Sequence, residues 1–165
     1  MVREQGPSCG ADGSLLGEIY GGVRASLDWR ADQLECTGMP RPNGAGARLR
    51  FAGTAMTDAG QRQLAIILGL PNLRRGQTAS ELPTNVTVIE EDAGRFFSTS
   101  DISGCWTDIH RQEQAAPASG ESRPQDFLIS GALYCVTPLA EVQGDASLSV
   151  ANLSFVGRLT WKAPK

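Results

Sequence analysis

The strongest constraint in this sequence is a two-residue rhythm. Val23, Ala25, Leu27 and Trp29 alternate with Arg24, Ser26, Asp28 and Arg30. Successive side chains of a strand point to opposite faces, so such a run reads as a half-buried strand. Residues 47–51, Ala-Arg-Leu-Arg-Phe, repeat the pattern. Asn85 to Glu90 is rich in β-branched residues, which suit a pleated surface. Glu91-Asp92-Ala93-Gly94 predicts a turn, with residues 95–99 returning as the hairpin partner. Residues 105–109, 127–136 and 153–161 predict further strands. Residues 57–68 fit either a short helix capped by Asp58 or a buried strand. Gly60, Gly69 and Pro71 leave little room for a helix, which favours the strand.

The 19 glycines and 9 prolines fall mostly between these runs, as turn residues do. About nine or ten short strands with little helix predict an all-β fold: an antiparallel β-sandwich of jelly-roll or immunoglobulin-like type. A closed barrel is the alternative. A chain of 165 residues makes one domain, here residues 14–165 behind a loose polar arm, 1–13. Residues 111–125 are polar and without periodicity. They predict a long exposed loop that buries little and is dispensable for folding. The chain has no internal repeat and no motif that names a family.

Composition removes several function classes. A net charge of −3 argues against a nucleic-acid binder driven by counterion release. No apolar run approaches the roughly 18 residues that a membrane-spanning helix needs. Lysine occurs only at Lys162 and Lys165, and His110 is the only histidine. Schiff-base, His-rich metal and most His-relay chemistries are therefore hard to build. The phosphate-loop pattern G-x-x-x-x-G-K-[ST] is absent, and no cofactor is expected. Arg74-Arg75 reads as a solvated basic spot.

The four cysteines, Cys9, Cys36, Cys105 and Cys135, are widely spaced and lack a C-x-x-C pair. They predict two disulfides, Cys9–Cys36 and Cys105–Cys135, and so an oxidising compartment. The opening residues lack the apolar core of a signal peptide, so a periplasmic or extracellular location would apply to a mature form. Asn85-Val86-Thr87 and Asn152-Leu153-Ser154 match the glycosylation triplet but fall inside predicted strands, where a glycan is awkward.

One strand stands out. Cys105, Thr107 and Ile109 share one face, and Trp106, Asp108 and His110 share the other. If residues 105–109 and 127–136 pair as a hairpin with Cys105 opposite Cys135, then Trp106 lies opposite Tyr134 on the face away from the disulfide. An indole flanked by polar groups suits a sugar-binding face, with a flat ring for stacking and oriented hydrogen bonds. Trp29 and Trp161 continue apolar faces and read as core. The preferred function is a non-catalytic exported binding or accessory module of the envelope or extracellular space. Its partner would be a glycan or a protein, and its most concrete form is carbohydrate-binding; a subunit of a surface assembly is close to it. The alternative is a glycan or ester hydrolase using Glu90, Asp92, Asp101, Asp108 or His110. The acidic turn at Glu90-Glu91-Asp92 reads as solvated, and Asp101, Asp108, Glu141 and Asp145 lack calcium-loop spacing, so no metal site is assigned.

Overall fold

A computed structural model describes residues 9, 12–42, 45–100, 104–115 and 126–161. They form twelve antiparallel strands and one short 3-10 turn, Ala31–Gln33. The strands are β1 (Ser14–Gly21), β2 (Ala25–Arg30), β3 (Glu35–Pro40), β4 (Ala47–Thr57), β5 (Gly60–Leu70), β6 (Ala79–Pro83), β7 (Asn85–Glu90), β8 (Arg95–Ser98), β9 (Cys105–Gln114), β10 (Asp126–Cys135), β11 (Leu139–Glu141) and β12 (Ser147–Thr160). The all-β expectation holds. Residues 57–68 resolve in favour of strand, as β5 and the end of β4. The strands missed by alternation are β1, β3 and β6, whose burial follows no regular period of two, and β11, which is only three residues long. No helix among the described residues is long and apolar enough to cross a membrane.

Long ladders divide the strands into two groups. One runs β6–β9–β10–β12–β1–β2, the other β3–β4–β5–β7–β8. They face each other across an apolar core in which the rings of Phe51 and Phe155 lie 5.3 Å apart. Each fully buried side chain of this size contributes roughly 1.5–3 kcal/mol. Gly157 makes room for that contact, because a Cβ there would sit 2.7 Å from the Phe51 ring. The groups are also joined at two places. Ala25 of β2 pairs with Thr57 of β4, and three-residue β11 bridges β8 to β12. The circuit β1–β2–β4–β5–β7–β8–β11–β12 therefore returns to β1. The sandwich is thus closed by narrow seams, and β3 and β6, each paired on one side only, remain as edges.

Both expected disulfides are present, Cys9–Cys36 and Cys105–Cys135. Of the predicted N-terminal arm, Cys9, Asp12 and Gly13 lie among the described residues and the remainder lies outside them. Both glycosylation triplets fall in strands, β7 and β12.

Two expectations need correction. Residues 111–114 are not loop: they continue β9, and Gln112 is only 5% exposed. A register shift opposite Ser130 and Gly131 inserts His110 as an extra residue, so the inward phase moves from Ile109 to Gln112. Residues 116–125 lie outside the described residues. Glu90 is likewise no solvated turn residue. It is 4% exposed, with Arg95 Nη1 at 3.5 Å and Arg62 Nε at 3.7 Å. Arg95 also holds Glu141 of β11 at 3.2 Å, donates to the Gly22 carbonyl at 3.1 Å, and lies over the Phe97 ring. This cluster pins the narrow bridging strand.

Candidate functional site

The outer face of β9 and β10 carries the residues that the alternation singled out. Cys105 is directly opposite Cys135, and Trp106 is directly opposite Tyr134. Their rings lie 6.0 Å apart, tilted by 30°. On the other side of β9, Pro83 of edge strand β6 is the register partner of Trp106. Pro83, Trp106 and Tyr134 thus make one row across three strands. All three are half-buried, less exposed than the expected open pair. Trp29 differs: it is 4% exposed and donates its indole N–H to the Thr54 carbonyl.

The row stands on a stiff base. Beneath it lie the disulfide and the buried hydroxyls of Thr84 and Thr107, 2.7 Å apart. Thr84 also donates to the Leu82 carbonyl, which fixes the end of β6. No buried side-chain nitrogen or oxygen among the described residues lacks a partner, as a rigid scaffold requires.

Asp108 forms the next row. Its Oδ1 accepts the Glu81 N–H at 2.8 Å, where β6 bulges and Glu81 takes a φ of 54°. Asp108 therefore shapes the edge strand and presents a carboxylate beside the rings. The Tyr134 phenol is pushed above its ordinary range by loss of hydration, then by the Asp108 and Glu81 carboxylates. It stays protonated at neutral pH and can donate where Asp108 can accept. His110 is exposed at the bulge, about 13 Å along the strand from Trp106. The structure thus brings Trp106, Tyr134 and Asp108 together and sets His110 at the far end of the strip. Pro83 and Glu81 escape a reading of one strand at a time, because only sheet pairing places them there.

The acids of the alternative reading have separate partners. Glu90 is tied to Arg95 and Arg62, Asp92 accepts the Gln63 N–H at 2.7 Å, and Asp108 holds Glu81. Asp101 lies outside the described residues. No group of three or more metal-ligating side chains occurs among the described residues. No protein-family model, curated protein or solved structure matches the chain.

Proposed function

We propose that the chain is a non-catalytic binding module, exported from the cytoplasm, that holds a glycan on the outer face of β9 and β10. The observation that carries this reading is the Pro83–Trp106–Tyr134 row with the Asp108 carboxylate beside it. A sugar ring has apolar C–H faces and a rim of hydroxyls. The aromatic row supplies a flat apolar surface, and the Tyr134 hydroxyl and Asp108 supply a donor and an acceptor next to it. Strands supported by a disulfide hold that set with little entropy to lose on binding. All four cysteines are bridged, which fits an oxidising compartment. The hydrolase reading is less well supported: a glycosidase needs two carboxyls facing one cleft, and Glu90, Asp92 and Asp108 each serve a separate structural contact.

The test is retention on a glycan array. The unaltered protein should be retained on a subset of glycans, and Trp106→Ala should weaken that retention by at least about tenfold, as loss of a central aromatic anchor does. Melting temperature reports separately whether the variant folds. Retention unchanged by Trp106→Ala, in a folded variant, would remove the strip as the binding surface.

A further inference from the structure

We infer a second binding site, for an acidic sugar unit, in the cleft between the loop after β5 and the end of β12. The cleft has a volume of about 470 Å³ and is lined by Gly46, Asn72, Arg74, Arg75 and Trp161 among others. That size falls within the range of ordinary small-ligand pockets, roughly 300–1,000 Å³. None of its described lining residues is acidic, although the whole chain is net negative. Arg74 and Arg75 place two cationic side chains on the described part of this wall, and positive charge on a concave surface gathers anionic ligands.

The cleft is also built to hold its shape. Gln112 donates both amide hydrogens, to the carbonyls of Arg74 and Gln77, each at 2.9 Å. Its Oε1 accepts the indole N–H of Trp161 at 2.7 Å. One buried amide therefore locks the arginine loop and the tryptophan relative to each other. Leu73 is buried and anchors the same loop, and the Arg75 guanidinium lies over the Phe127 ring at 5.4 Å. Trp161 is half-buried. Its N–H edge is occupied by Gln112, while the ring borders the cleft. Guanidinium forks match the two oxygens of a carboxylate, and the ring offers a wall for the apolar face of a sugar. The combination selects a sugar carrying a carboxylate, of the uronic acid class. The site is separate from the Trp106 strip and does not depend on it.

The experiment titrates isotope-labelled protein with sodium glucuronate, glucose and sodium sulfate, following the Trp161 indole N–H and the Arg74 and Arg75 amides by NMR. Glucuronate should shift these signals saturably, more tightly than either glucose or sulfate. In Arg74→Gln/Arg75→Gln the affinity should fall by at least about tenfold, the usual scale for losing a charge-assisted hydrogen bond. The backbone carbonyls that hold Gln112 remain in that variant while the Arg75 contact with Phe127 is lost, and the dispersion of its amide spectrum reports separately that it folds. Trp106→Ala should leave the titration unchanged. Any of three results overturns the inference: no saturable shift, a response to glucose or sulfate equal to that for glucuronate, or a shift that survives the double arginine variant. A response lost in Trp106→Ala and kept in the arginine variant would also overturn it, while supporting the strip.

Discussion

Gln112→Glu is expected to destabilise the protein by about 4 kcal/mol at neutral pH, more than Gln112→Leu, at about 3 kcal/mol. The leucine variant leaves the Arg74 and Gln77 carbonyls and the Trp161 indole N–H without their present partner. Each buried polar group so abandoned costs roughly 1–3 kcal/mol, less where the adjoining cleft admits water. Glutamate keeps an acceptor for the indole but turns a carboxylate toward two carbonyl oxygens. Protonation would restore one donor, so the added penalty should shrink as the pH falls. Urea unfolding at two pH values measures both effects. A cost below about 1 kcal/mol for both variants would show that Gln112 is not the brace between loop and strand.

Arg95→Met should cost about 3 kcal/mol, because it leaves Glu90 buried with only Arg62 nearby and removes the two-pronged contact to Glu141. In a chain of this size that corresponds to a fall in melting temperature of roughly 10 °C. Arg95→Lys should recover little, since one ammonium cannot make the same fork to Glu141 and reach Gly22 as well. The pH dependence has a definite sign. Arg95, by its hydrogen bond above all, with help from the Ala146 N–H, holds the Glu141 carboxyl below its ordinary value. A carboxyl lowered on folding adds stability above its unfolded pKa and loses it as the pH falls through the folded value. The unaltered protein should therefore weaken on acidification below the usual carboxylate range, and Arg95→Met should weaken less steeply. Thermal melts across that range decide it; parallel curves would contradict the role given to the pair.

The sequence made the strand faces readable wherever alternation ran unbroken. Ala25, Leu27 and Trp29 are buried as their spacing implies, and β7 begins and ends at the expected residues. The Trp106–Tyr134 pairing was legible because antiparallel geometry leaves no choice once Cys105 is set opposite Cys135. Glu90 could have been found by the same rule, since it shares its phase with Val86 and Val88. Its charge pointed to water, and only the arginines from neighbouring strands explain its burial. Gln112 carried no such signal. The extra residue at His110 breaks the period, and a glutamine in a polar run resembles a loop until its three partners arrive from the residue just past β12 and the loop after β5. Trp161 keeps the inward phase of Leu159 but sits where the strand ends, so it forms the wall of a cleft where core was expected.

The closed circuit of strands has a consequence for the order of events during folding. The local hairpins, β4 with β5 and β7 with β8, can form as soon as their residues are available. The ladder between β1 and β12 cannot, because Leu15 must wait for Phe155 from the far end of the described chain. Contacts so distant in sequence demand loop-closure entropy before they return any stabilisation, and such topologies fold slowly. Until β12 arrives, β1 and β10 each lack a neighbour that β12 provides in the finished structure. The features that blunt an edge in the native state protect β6, through its bulge and Pro83, and leave this transient gap uncovered. The interval before ring closure is therefore when the chain is most open to pairing with another copy of itself.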